Sequence, residues 1–246
     1  VPPPRWVTGP LVGFDIETTG LDRELDEPVS YAFVSFDRGA VVAIDQGYVR
    51  PVRPISAGAA AVHGLTSRRL RRLGARDLDA AGRHLGARLA ALSAEGVPVV
   101  GCNLAYDLTI VDRVLTRLAA PSSLRDVGWA GPVLDVLVLD RGIDPDVEGR
   151  PQRRLDALCA HYGVAVPDHT AAGDAAAAVR VLLAQADRHE ALARTGVGDL
   201  QTSQAAWHAT WCLERALRHG QPGDQLALFD AGEAWPYLER AVAHRA

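Results

Sequence analysis

The 246-residue chain contains no lysine, no methionine and a single asparagine, Asn103, so that all 26 basic residues are arginine. Together with a heavy surplus of alanine, this is the mark of GC-rich codon usage. An arginine or an alanine at any one position therefore says little about function, and the rare residue types say more. Cysteine is also scarce: Cys102, Cys159 and Cys212 show no C-x-x-C spacing and no paired framework, which excludes a disulfide-stapled domain. No apolar run approaches the ~18 residues of a membrane span, since even residues 175–186 are broken by Arg180. The first residues, Val1 to Trp6, lack the apolar stretch of a signal peptide. These absences lead us to expect a cytoplasmic protein with free thiols and no membrane partner.

What is present is ordinary for a globular protein: 48% apolar and 23% charged residues with a mean hydropathy of zero. At ~150 residues per domain the length suits one domain with an appendage, or two small ones. The formal charge of −4 argues against coating nucleic acid through a broad basic surface, so a polyanionic substrate would have to be held locally.

Residues 11–16, 31–36 and 40–49 read as three strands, the last two joined by a turn at 37–39 and all three forming an antiparallel meander. The rhythm then changes to a helix near 77–94, a strand at 97–102, a helix near 106–118, a strand at 133–137, and helices near 154–162 and 172–186. Three strands followed by αβαβα give an α/β fold with a mixed central sheet. After residue 187 the strands stop, and residues 200–219 are helical in pattern. We expect a domain over 1–187 and a C-terminal helical extension over 188–246.

Asp15 and Glu17 stand two apart on the first strand, so both carboxylates share one face while Phe14 and Ile16 share the other. Two adjacent carboxylates repel unless they share a proton or a cation, and hard ions such as Mg²⁺ favour such oxygen ligands. Alone, a D-x-E pair is more often an acidic strand end. Here it is followed by the polar turn Thr18-Thr19-Gly20. Asp107 lies near the start of the helix after the fourth strand, where the helix dipole also favours an acid; if that strand neighbours the first, Asp107 reaches the same cluster. Asp174 opens the alanine-rich helix, and His169, on the loop before it, is free to approach a metal-bound water.

In that order and at those separations, Phe14-Asp-Ile-Glu-Thr-Thr-Gly-Leu21, Asn103-x-x-x-Asp107 and His169-x-x-x-x-Asp174 resemble the three motifs of the DEDDh 3′→5′ exonucleases. This is the DnaQ-like group that includes the proofreading epsilon subunit of bacterial DNA polymerase III. Val62-His-Gly-Leu-Thr66 resembles the "IHGIT" segment carried between the first two motifs. The resemblance covers roughly residues 10–187 and implies a ribonuclease H-like fold and hydrolysis of phosphodiester bonds from a 3′ end. It also implies that Asp15, Glu17, Asp107 and Asp174 hold two Mg²⁺ or Mn²⁺ ions and that His169 is the general base. Thr18, Leu21, His63 and Asn103 would line the pocket for the terminal nucleotide. The family often has His and Phe where this chain has Cys102 and Tyr106, which bears on substrate preference more than on catalysis. Asp135 also matches a common family position, as a substrate contact or as a hydrogen-bond acceptor at a strand end.

Arg68 and Arg69, with Arg71, Arg72 and Arg76, form the densest basic patch. It reads either as a grip on a nucleic-acid backbone or as a solvated helix face. Trp207 and Trp211, four apart, are expected to dock the last helix onto the core. Gln225, Leu226, Leu228 and Phe229 resemble the Gln-Leu-x-Leu-Phe peptide by which replication and repair proteins dock on the sliding clamp, or else pack on the domain. The principal expectation is a metal-dependent exonuclease acting on DNA, with a polymerase or the clamp as possible partners. Its alternatives are an exoribonuclease using the same residues, and a clamp-associated binding protein.

Overall fold

A computed structural model describes residues 5–144, 153–218 and 236. The chain opens with the short helix α1 (Arg5–Thr8) and three strands, β1 (Leu11–Thr18), β2 (Pro28–Asp37) and β3 (Ala40–Arg50). Two short helices follow, α2 (Ala57–His63) and α3 (Ser67–Arg72), then β4 (Arg76–Asp77) and α4 (Leu78–Glu95). The second half runs β5 (Val99–Gly101), α5 (Leu104–Arg117), β6 (Val133–Asp135), α6 (Val136–Ile143), α7 (Leu155–Tyr162), α8 (Ala171–Arg188), α9 (Glu190–Arg194) and α10 (Val197–Arg218).

The strands form one sheet in the order β4-β3-β2-β1-β5-β6. β1, β2 and β3 pair antiparallel, whereas β5 is parallel to β1 and β6 parallel to β5. The expected meander and mixed sheet are thus present, and the strand before Asp107 does neighbour β1. Alternation along β1 builds two cores. Leu11 packs with Ala32, Val34 and Phe36 beneath α8, while Val12, Phe14 and Ile16 join Phe33, Leu85, Leu108 and Val114 beneath α4 and α5. On that second face Phe14 and Phe33 stack with centroids 4.7 Å apart, an arrangement worth ~0.5–1.5 kcal/mol beyond burial.

Small residues set how closely the layers approach. A β-carbon on Gly13 would run into the carbonyl of Ala175 and lie 3.0 Å from Val179 Cγ2, so Gly13 and the alanines of α8 bring that helix directly onto β1. The alanine surplus thus has a packing use in α8, where Ala175 to Ala178 are all buried.

Two expectations need correction. The strand at 133–137 ends at Asp135, because Asp135 caps α6: Leu137 and Val138 donate their N–H groups to its carboxylate. Its apolar run gave no hint of a helix start. The helix α2 was also not foreseen, although Ser56 is a regular N-cap that accepts from Ala59, whereas α3, capped by Thr66 accepting from Arg69, carries the arginine patch on a helix face. At the end of the chain, Trp207 packs against the α8-side core and would collide with a β-carbon on Gly142. Arg141 lies 3.7 Å over the Trp211 ring. The tryptophans therefore dock α10, as expected. Gln225, Leu226, Leu228 and Phe229 lie outside the described residues.

Candidate active site

Asp15 and Glu17 sit on the α8 face of β1, opposite Ala32 and Ser30 of β2, small residues that leave the carboxylates room. Asp174 enters from the first turn of α8, whose N-cap Thr170 accepts from Gly173 N at 3.1 Å and donates to Asp168 at 2.8 Å. Asp15, Glu17 and Asp174 each offer an oxygen within 4.8 Å of the others, and all three are half-buried. Asp174 Oδ1 is buried with no hydrogen-bond partner. An oxygen-only set with an orphaned buried acceptor fits a hard divalent cation.

The electrostatics describe a cluster that repels itself. Burial, then Asp107, Asp174 and Glu17, push the Asp15 carboxyl well above its usual range. Burial and Asp174 push Glu17 up to about 7. Burial raises Asp174 to about 6 against the opposing pull of His169. Asp107 is raised by burial, although the Ile16 N–H works the other way.

Asp107 is placed differently from the other three. Its Oδ1 accepts from Ile16 N at 3.3 Å, holding it against the β1 backbone, close enough to act on Asp15 but outside the group of converging oxygens. The carrier of Asp107, α5, begins at Asn103, whose φ of 68° is left-handed, a conformation that asparagine tolerates better than most residues. The chain's single asparagine stands where the backbone needs one.

His169 is exposed and also left-handed, with φ 56°. With Glu17, His63, Arg69 and Arg76 it lines a cavity of about 340 Å³. His63 Nδ1 accepts from Leu65 N at 3.0 Å, so Nε2 carries the proton toward Thr18 O at 3.2 Å. Thr18 is tied inward: its hydroxyl donates to Gly20 O at 2.7 Å and meets the Tyr106 hydroxyl at 3.1 Å, while Tyr106 itself donates to Gly20 O at 2.6 Å. Leu21, by contrast, is 90% exposed. The loop between them is anchored. Thr19 donates to Asp26, Glu27 accepts from Val52 N and Arg53 N, and Arg117 grips the carbonyls of Glu24 and Asp26. Arg68 is exposed on α3, and Arg69 reaches back to Gly64 O at 3.2 Å.

A mixed sheet ordered around β1, with acids converging at the C-terminal end of β1 and the start of α8, defines a ribonuclease H-like protein with a metal-competent acidic site. Residues 12–182 match the RNase T exonuclease family, and the chain belongs to that family, of the DnaQ-like exonuclease kind. Over 179 residues it is 33% identical to the DNA polymerase III subunit epsilon-like protein of Rhodobacter capsulatus, covering 70% of this chain and 23% of that one. Over 182 residues it is 25% identical to the PolC-type DNA polymerase III of Latilactobacillus sakei, covering 72% of this chain and 11% of that one. The chain thus spans less than a quarter of the length of these relatives. Its fold is shared with exonuclease I of Methylocaldum szegediense at a TM-score of 0.62 and 21% identity, over 75% of this chain and 42% of that one. E. coli exonuclease I bound to a dA16 oligonucleotide gives a TM-score of 0.62 at 20% identity, with the same coverage.

Sequence reasoning did not find the parts that hold the site from behind. Tyr106 was visible only as a departure from the family's phenylalanine. Gln201 and Gln204 of α10, whose side chains accept from Val133 N and Asp135 N, carried no signal, because an amide in a helix has no pattern of its own.

Proposed function

We propose that this chain is a divalent-metal-dependent 3′→5′ exonuclease that trims DNA 3′ ends and releases nucleoside 5′-monophosphates. The observation that carries the reading is the convergence of Asp15, Glu17 and Asp174 within 4.8 Å, with His169 lining one cavity together with Glu17 of that group. In this proposal those three acids, with Asp107, hold two Mg²⁺ or Mn²⁺ ions. A pair of such ions supplies an acidified water and neutralises charge on the leaving oxygen. His169 takes the proton of the attacking water, whose oxygen joins the terminal phosphorus as the bond to the preceding 3′ oxygen breaks. Thr18, Leu21, His63 and Asn103 border the terminal nucleotide, and Arg68 and Arg69 meet the backbone of the entering strand. Residues 1–187 form the nuclease unit and 188–246 its extension, with residues 225–229 as a peptide for the sliding clamp. DNA is favoured over RNA as substrate by the likeness to polymerase III subunits.

The test uses 5′-labelled single-stranded DNA, 3′-mispaired duplex DNA and RNA of equal length, with Mg²⁺ or Mn²⁺, beside an Asp15→Ala plus Glu17→Ala double variant. The expected result is a ladder of DNA shortened from the 3′ end, absent in the variant. Shortening of RNA alone would replace DNA by RNA as substrate, and activity surviving in the variant would overturn the site.

A further inference from the structure

The helix α10 lies beyond the region matched by the exonuclease family, yet it reaches the site's scaffold. Among the described residues β6 ends the sheet, and its outer edge has no strand partner there. Two glutamines one helical turn apart take that place. Gln201 Oε1 accepts from Val133 N at 2.8 Å, and Gln204 Oε1 accepts from Asp135 N at 2.7 Å. Gln204 Nε2 donates to Val133 O at 3.0 Å and to Leu200 O at 3.1 Å. Both Gln204 and Asp135 are fully enclosed, at 0% and 1% exposure. The side-chain amides thereby do for β6 what a seventh strand would do, satisfying edge groups that would otherwise be buried without partners.

The chain of contacts continues toward the acids. The Asp135 carboxylate accepts from Asn103 N at 3.0 Å and from Leu104 N at 2.8 Å, the first amides of the helix that carries Tyr106 and Asp107. One turn later Asp107 meets β1 at Ile16 N.

We propose that Gln204 is a positioning residue for the nuclease site, holding Asp135 and through it the start of α5, so that the C-terminal helix is a working part of the enzyme. This rests on the reading of the site proposed above. Gln204 acts through its two hydrogen bonds to the β6 backbone, at Asp135 N and Val133 O, and through the Asp135 carboxylate beyond them.

The experiment compares Gln204→Leu with Leu192→Ala, a control that opens the core beside α8 and removes no hydrogen bond to β6. Backbone amide exchange is followed by NMR at Asn103, Leu104, Val133 and Asp135, together with kcat, KM and direct Mn²⁺ binding. In Gln204→Leu, exchange at Asn103 and Leu104 rises at least about tenfold, as an opening made ~1.4 kcal/mol easier requires. There kcat falls about tenfold with KM little changed, and Mn²⁺ binding weakens. Leu192→Ala lowers Tm as much or more but leaves those two amides and kcat near their original values. Equal effects in the two variants, or unchanged exchange at Asn103 and Leu104, overturn the proposal. Should Gln204→Leu not fold, the unaltered chain decides: Val133 and Asp135 amides must exchange as slowly as those of β5, and exchange at the rate of an open sheet edge overturns it. Inactivity of the unaltered protein on DNA and RNA alike would instead refute the nuclease reading, since the exchange measurements do not depend on catalysis.

Discussion

Glu17→Gln should stabilise the metal-free protein at alkaline pH and destabilise the metal-loaded one. In the folded chain Glu17 titrates at about 7, against an ordinary 4.5, because it is half-buried and faces Asp174. Below pH ~4.5 the folded and unfolded chains both carry the proton, and the site imposes no penalty. Between about 4.5 and 7 the unfolded chain gives up its proton first, so stability falls as pH rises; above 7 the deficit is constant. At ~1.4 kcal/mol per tenfold, and allowing for partial screening by solvent, that deficit is roughly 2–3 kcal/mol. For a chain of this size 1 kcal/mol moves Tm by ~2–4 °C, so the substitution should raise Tm by about 4–12 °C in EDTA at pH 8.5 and by almost nothing at pH 4. Adding Mn²⁺ at a thousandfold excess over Kd reverses the order, since an ion that binds only the folded chain then stabilises it by ~4.1 kcal/mol, more than the deficit it must overcome, and the variant has lost one ligand. Differential scanning calorimetry at both pH values, with and without Mn²⁺, reads all four states. If Glu17→Gln is no more stable than the parent in EDTA at pH 8.5, the repulsion inferred from the cluster is wrong.

His169→Gln should lower kcat by ~10²–10⁴-fold while KM stays near its original value, the range for loss of a general base; steady-state kinetics showing a loss below threefold would remove His169 from that role. Tyr106→Phe deletes the hydroxyl shared by Gly20 O and Thr18. It should lower stability by ~0.5–1.5 kcal/mol in denaturant titration and raise KM several-fold by loosening the turn that borders the site. Gly13→Ala places a methyl group against the Ala175 carbonyl; no flexible side chain can yield there, so circular dichroism should show loss of cooperative folding or a destabilisation of several kcal/mol. Leu228→Ala combined with Phe229→Ala should abolish co-purification of the sliding clamp and leave exonuclease activity intact, and clamp binding that persists would dismiss the peptide.

Where sequence and structure agree, the reason is local. Asp15 and Glu17 share a face because a strand repeats every two residues, and the burial of Phe14 and Ile16 on the other face fixes which way they point. Asp174 belongs to the first turn of α8 because Thr170 caps that helix. The order of the meander followed from short connections and the mixed sheet from α/β alternation, while the place of β5 beside β1 entered only as a condition. Boundaries were less legible. The strand ending at Asp135 was drawn two residues too long, because an apolar run does not reveal where a carboxylate turns back to cap a helix.

The sequence by itself determined the family, the faces of β1 and the identity of the acids, since these rest on residue types at fixed spacing along one element. Only the tertiary structure decided that Asp107 is drawn onto the Ile16 amide while Asp15, Glu17 and Asp174 converge. It alone decided that Thr18 turns inward to Tyr106 and that Gln204 closes the edge of β6. Each of these is a bond to a partner 69 to 91 residues away. Such a bond joins a side chain to a distant backbone group or hydroxyl, and neither partner leaves a periodic trace in the chain. The folded sheet, by bringing them within 3.3 Å, is what makes them a pair.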